Sequence, residues 1–157
     1  MNAVFFTTSG AESVEGALKF ARAATGRERF LYLEHAFHGL TLGALSINGS
    51  EHFRSGFGSL LPATPIPLND LATLERELKA GDVAALIVEP IQGKGVYIPD
   101  EGFLPNAERL CRKHGALFIV DEVQAGFGRI GRFFGGSTTG STRTSSRPQG
   151  SERGTSR

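Results

Sequence analysis

The sequence predicts an α/β domain, with helices on both faces of a mostly parallel sheet. Two near-continuous apolar runs, from Ala84 to Val88 and from Leu117 to Val120, have the character of strands covered on both sides. Each ends in acid, the first at Glu89 and the second at Asp121-Glu122. Between them Phe103, Ala107 and Leu110 fall at helical spacing over a length that suits a parallel crossover. Ligands of such sheets gather beyond the carboxyl ends of the strands, so the acids that end these runs are candidate site residues.

The other elements follow in order. Val4-Phe5-Phe6 reads as a short strand. Ser9-Gly10-Ala11-Glu12 opens a helix that runs to about Thr25 and closes at Gly26, with Val14, Ala17, Leu18 and Ala21 three and four apart on its apolar face. Phe30 to Leu33 is a strand, and Thr41 to Ser46 a short helix after the Phe37-His38-Gly39 loop. Asp70 to Leu78 is a helix with Leu71, Leu74 and Leu78 on one side. From Gly135 to Arg157 there is no aliphatic or aromatic residue. Such a segment cannot bury enough surface to offset its ordering entropy, so residues 1–134 are expected to form the folded domain and 135–157 a disordered tail.

The 157 residues hold 17 Lys and Arg against 16 Asp and Glu, a balance that points away from nucleic acid and anionic membranes and towards a small-molecule partner. Cys111 is the single cysteine, which excludes an internal disulfide and suits a reducing cytoplasm. No apolar run approaches the roughly 20 residues that cross a bilayer. Met1 to Thr8 lacks the basic region and cleavage site of a signal peptide.

Several segments could carry chemistry. Ser9-Gly10-Ala11 at a helix start offers free N–H groups and the positive end of the helix dipole to an anion, although such a triplet is more often only a cap. A carboxylate at Asp121 needs a partner to offset its burial. A protonated ring nitrogen, a salt bridge, or the metal of a nucleotide hydrolase would each serve. The hydrolase reading requires a glycine-rich loop ending in Gly-Lys-Ser or Gly-Lys-Thr, and the sequence has none. Gly126-Phe127-Gly128-Arg129-Ile130-Gly131 spells a dinucleotide fingerprint without the helix and later acid that give it meaning, and reads as a turn. His35, His38, His52 and His114 show no metal-ligand spacing, so no metal is expected.

Taken together, Thr8-Ser9-Gly10-Ala11-Glu12-Ser13, Phe37-His38-Gly39-Leu40-Thr41, Val88-Glu89-Pro90-Ile91-Gln92-Gly93 and Asp121-Glu122-Val123-Gln124-Ala125-Gly126-Phe127-Gly128-Arg129 resemble consecutive signatures of the class-III aminotransferases, which depend on pyridoxal 5'-phosphate (PLP). The resemblance implies the large domain of fold-type I PLP transferases, a homodimeric parent, and transamination between an amine or ω-amino acid and a 2-oxo acid. It implies that backbone N–H groups of Gly10 and Ala11 hold the PLP phosphate and that Phe37 stacks on the pyridine ring. It further implies that Asp121 pairs with the ring nitrogen, Gln124 with the phenolic oxygen, and that Val123 packs beneath the ring. Glu89 matches an acid near the substrate, and His38 is a neighbour of the cofactor.

Two departures stand out. Leu40 occupies the place of an arginine that reads a substrate carboxylate in acetylornithine-type members, which favours a diamine or another ω-amino compound. The family's Schiff-base lysine lies downstream of the Asp-Glu-Val-Gln segment, whereas the lysines here are Lys19, Lys79, Lys94 and Lys113, all upstream. The chain is therefore expected to be a fragment, inactive alone, with a tail read from a shifted frame. The rival expectation is a non-catalytic module that binds a phosphate ligand or a partner subunit.

Overall fold

The computed structural model describes residues 4–135. What the sequence suggests of the tail falls outside these residues, apart from Gly135. Four strands, β1 (Arg29–Leu33), β2 (Ala63–Ile66), β3 (Val83–Val88) and β4 (Leu117–Val120), form one sheet in the order β2-β1-β3-β4, and every pairing is parallel. The helices are α1 (Gly10–Thr25), α2 (Leu42–Ser46), α3 (Glu51–Arg54), α4 (Leu71–Leu78) and α5 (Phe103–Lys113).

Side-chain alternation in the central strands divides the core in two. Leu31 and Leu33 of β1, with Leu86 and Val88 of β3, pack with Leu74 and Leu78 of α4 and with Phe103, Leu104 and Cys111 of α5. Phe30 and Tyr32, with Ala85 and Ile87, face the opposite way onto Val14, Leu18 and Ala21 of α1. Every residue of β3 is buried, as a strand between two helical layers requires. At the start of β3 the register shifts: Arg29 pairs with Val83 but Phe30 with Ala85. Ala84 is the additional residue, and both Ala84 and Ala85 therefore face the α1 layer, where small side chains leave room for the helix.

Helix α1 shows how closely local sequence sets boundaries. Ser9 caps it by accepting from the Glu12 backbone N–H at 3.2 Å. The Glu12 carboxylate reaches back to the Thr8 backbone N–H at 2.7 Å and the Thr8 hydroxyl at 2.5 Å, a variant of the capping box. These bonds hold the Glu12 carboxyl below its ordinary range. Gly26 ends the helix in the left-handed conformation. Asp70 caps α4 in the same manner, accepting from Thr73 N–H.

The structure corrects the sequence reading at three places. Val4-Phe5-Phe6 is irregular and exposed rather than a strand; it has no pairing partner among the described residues, and Phe5 instead packs edge-on against Phe20 with ring centroids 5.2 Å apart. Strand β2 and the single turn of α3 were not expected. Pro65 lies within β2 and conceals it, but a proline is tolerated on an edge strand, and β2 is at the edge.

The connections define where a ligand would sit. From β1 the chain moves outward to β2, then returns across β1 to β3 and on to β4. The direction of winding thus reverses between β1 and β3. Crevices form at the carboxyl ends of strands flanking such a reversal, and here those ends lead into Phe37-His38, Glu89 and Asp121.

Candidate functional site

The three strand-end segments are joined by two carboxylates. Asp121 extends the β3–β4 ladder, its N–H donating to the Val88 carbonyl at 2.8 Å. Its Oδ1 accepts from the Val123 backbone N–H at 3.0 Å and its Oδ2 lies 2.7 Å from His38 Nδ1. The His38 side chain is fully buried and that of Asp121 nearly so. An ionised carboxylate can only accept, so an Asp121 carboxylate would call for the His38 proton on Nδ1 in this pair. His38 Nε2 is buried and finds no partner among the described residues. Each Asp121 oxygen keeps a second lone pair beyond the bond it accepts.

Glu89 is the second brace. One carboxylate oxygen accepts from the Phe37 N–H at 2.9 Å and the other from the Gly93 N–H at 2.8 Å. Only 4% of the residue is exposed, so two backbone donors supply what water cannot. Gln92, also buried, donates from its amide to the Glu34 carbonyl at 2.8 Å. No role for Gln92 is legible in the sequence, because its tie to the end of β1 depends on a residue 58 positions away.

The N-terminus of α1 closes over the same region. Gly39, at φ 122°, lies so near Ala11 that a Cβ on it would come within 2.8 Å of the Ala11 Cβ. Gly10 faces Val123 in the same way, with a hypothetical Cβ 3.0 Å from two Val123 methyls. On the far side, a Cβ at Gly93 would meet the Gln124 side chain at 3.1 Å. A small cleft of about 120 Å³ runs between Ser13, Val14 and Ala17 of α1 and the segment from Ile119 to Val123. The N–H groups of Gly10 and Ala11 have no acceptor among the described residues, as is usual for a first helical turn. Phe37 is partly exposed and meets Phe53 edge-on at 5.8 Å.

The residues singled out in the sequence thus fall around one strand-end region, linked as His38 to Asp121, Glu89 to Phe37, Gly10 to Val123, and Ala11 to the Phe37-His38-Gly39 loop. Gln124 joins through Gly93. Leu40 is exposed. A larger concavity of about 400 Å³, between Lys19 and Arg22 of α1 and Leu42, Leu60 and Leu61, contains none of these groups and is not part of the cluster. Among the described residues no set of three or more His, Cys, Asp and Glu is arranged to hold a metal, and no helix is long and apolar enough to cross a membrane.

The sequence matches the family "Aminotransferase class-III" over residues 1–143. It is 50% identical over 136 residues to an acetylornithine aminotransferase of Methanopyrus kandleri, covering 85% of this chain and 35% of that one. Against the aminotransferase PigE of Serratia it is 46% identical over 136 residues, covering 85% of this chain and 16% of the relative. Among solved structures, a taurine:2-oxoglutarate aminotransferase from Bifidobacterium kashiwanohense, in complex with PLP and glutamate, superposes with a TM-score of 0.83 at 32% identity, over 88% of this chain and 36% of that one. The ornithine aminotransferase of Toxoplasma gondii gives 0.80 at 35% identity, over 85% and 34%. The chain therefore spans about a third or less of each of these relatives. With a parallel four-stranded sheet of fold-type I aminotransferase form and this match, the chain belongs to the class-III aminotransferase family.

Proposed function

We propose that this chain supplies the cofactor-cradling part of a PLP-dependent aminotransferase that moves an amino group between an amine or ω-amino acid and a 2-oxo acid. The observation that carries the reading is the buried His38–Asp121 pair beside the open N-terminus of α1. Family membership supports PLP as the cofactor. The residues present fit it on physical grounds: a carboxylate with spare lone pairs, two unpaired N–H groups at a helix start, an accessible aromatic ring, and a helix packed so close to Val123 that a side chain at Gly10 would crowd it.

In this reading Gly10 and Ala11 bind the phosphate through backbone N–H groups. Phe37 would cover one face of the ring and Val123 the other, while Gln124 would donate to the phenolic oxygen. Asp121 would hold a proton at the pyridine nitrogen. His38 is a positioning residue: its Nδ1–H fixes the Asp121 carboxylate and keeps it an acceptor. Glu89 sets the distance between the Phe37 turn and the loop at Gly93, and so acts on substrate geometry through the backbone. PLP bound there would draw electrons from the carbon that bears the substrate amine. The sequence has no lysine after Lys113, so transamination as such belongs to the proposal for the whole protein, and this chain is expected to bind PLP non-covalently without turnover. A cytoplasmic setting and a homodimeric parent complete the proposal, the single reduced thiol of Cys111 being consistent with the first.

The test is titration of PLP against the purified chain, followed by the change in cofactor absorbance. Asp121→Ala should weaken binding about tenfold or more, the scale of one charge-assisted hydrogen bond, whereas Glu51→Ala, at an exposed carboxylate, should leave it unchanged. Equal affinities for the two variants would refute the assignment of Asp121.

A further inference from the structure

Resting on the proposed PLP site, we infer that Glu15 is a positioning residue for the cofactor. By capping α2 from α1 it holds the Phe37-His38-Gly39 loop, and through that loop the His38–Asp121 pair, in the geometry that binds PLP. Glu15 lies one turn after Ala11 on the same side of α1. Its Oε1 accepts from the Gly43 backbone N–H at 2.8 Å and from the Ala44 backbone N–H at 3.2 Å. Both donors belong to the first turn of α2, which its own sequence leaves open: Thr41 stands at the N-cap, but its side chain makes no capping bond. A helix of five residues has little stability of its own, so an acceptor supplied by α1 decides where α2 sits.

The junction of the two helices grips the loop. Gly39 is wedged between them: a Cβ on it would lie 2.8 Å from the Ala11 Cβ and 3.2 Å from the Ala44 Cβ. Ala44, whose N–H Glu15 holds, is the α2 side of the wedge, and Ala11, one turn before Glu15, is the α1 side. His38 adjoins Gly39 and reaches Asp121 through Nδ1 at 2.7 Å. A Cβ on Gly43 would strike the Glu15 carboxylate itself, so a methyl there would push the carboxylate off its two donors. Glu15 lines the concavity at Lys19 and Arg22 and not the cleft beside Asp121. It therefore acts on the site through α2 and Gly39, without touching the place of the cofactor. One oxygen accepts both bonds, and the carbonyl oxygen of an amide with the same reach offers the same two lone pairs. The site needs an acceptor at that point and not a charge.

The test reads the His38–Asp121 pair and PLP affinity separately, in the full chain. The ring ¹⁵N shifts of His38, measured without cofactor and assigned by their loss in His38→Gln, report which nitrogen bears the proton. The wild type is expected to show the Nδ1–H tautomer, and Glu15→Ala the mixed tautomers of an imidazole no longer held. Apparent affinity falls with the fraction of chains whose site is in place, so Glu15→Ala should weaken PLP binding about tenfold. Glu15→Gln should restore both the shifts and the affinity. Gly43→Ala displaces the carboxylate while favouring the helix locally; it should repeat both losses and reports even where Glu15→Ala does not fold. Asp70→Ala removes the capping bond of α4 and should lower the urea midpoint comparably while leaving the His38 shifts and PLP affinity unchanged. Wild-type shifts and affinity in Glu15→Ala or Gly43→Ala, the same losses in Asp70→Ala, or no recovery in Glu15→Gln overturns the inference while leaving the PLP site standing. A wild-type chain that does not bind PLP overturns the site and the inference with it.

Discussion

Replacing Glu89 by glutamine gives the sharpest energetic test of how the site is assembled. The carboxylate accepts two backbone hydrogen bonds, at 2.9 and 2.8 Å, from loops that follow different strands, and it is almost wholly buried. A hydrogen bond to a charged group contributes about 1.5–3 kcal/mol. Glutamine keeps one acceptor oxygen for one of the two donors and turns its NH2 towards the other, so one bond is lost and one buried N–H is left opposed. The expected loss is therefore about 1.5–3 kcal/mol. Alanine removes both bonds, for about 3–6 kcal/mol, which would consume much of the 5–15 kcal/mol that ordinarily holds a domain together; glutamine is the variant that reports. The assay is urea denaturation followed by circular dichroism, with the midpoint shifted and the slope unchanged if the loss is local. A Glu89→Gln chain within about 0.5 kcal/mol of wild type, below the range set by a charged hydrogen bond, would show that Glu89 does not brace the two loops.

Further outcomes follow from the same structure. The Cys111 thiol is buried, and burial, aided by Glu108, pushes its pKa up to about 12. It should resist a thiol reagent in the native chain and react at once in urea. Because its folded value lies above the unfolded value of about 8.5, its contribution to stability is intact below that pH and lost as pH rises towards 12, which alkaline melting curves of wild type and Cys111→Ala would expose. Asp82 is held below its ordinary range first by its hydrogen bond to Arg29. Its contribution is present above about pH 4 and fades as pH falls through the lower folded value; the carboxylate is half-exposed, so Asp82→Asn should cost no more than about 1 kcal/mol, read by denaturation at neutral pH. Gly10→Ala places a methyl 3.0 Å from Val123. Chain stability should change by less than about 1 kcal/mol, since alanine also favours the helix, while PLP affinity falls several-fold.

How much of this is legible in the sequence depends on where each signal lies. The limits of α1 were legible because Ser9, Glu12 and Gly26 act on their own backbone neighbourhood. Strands β3 and β4 were legible because a strand covered on both faces has few polar positions to confuse it. Strand β2 was hidden by Pro65, and α3 by its single turn. Val4-Phe5-Phe6 misled because its residues favour a strand locally, yet a strand exists only where another offers a ladder. The candidate residues came from strand-end acids and a family pattern, but their connections did not. His38 and Asp121 are separated by 83 positions and Phe37 and Glu89 by 52, and no local feature announces either bond.

The role proposed for Asp121, oriented by His38, is to hold a proton on the ring nitrogen of PLP. It is tested most directly by the ¹⁵N chemical shift of PLP labelled at that nitrogen and bound to the chain. A pyridinium shift is expected for the wild type at neutral pH and above, moving to the neutral-pyridine value in Asp121→Asn. A neutral-pyridine shift in the wild type, or the same pyridinium shift in both proteins, would contradict it.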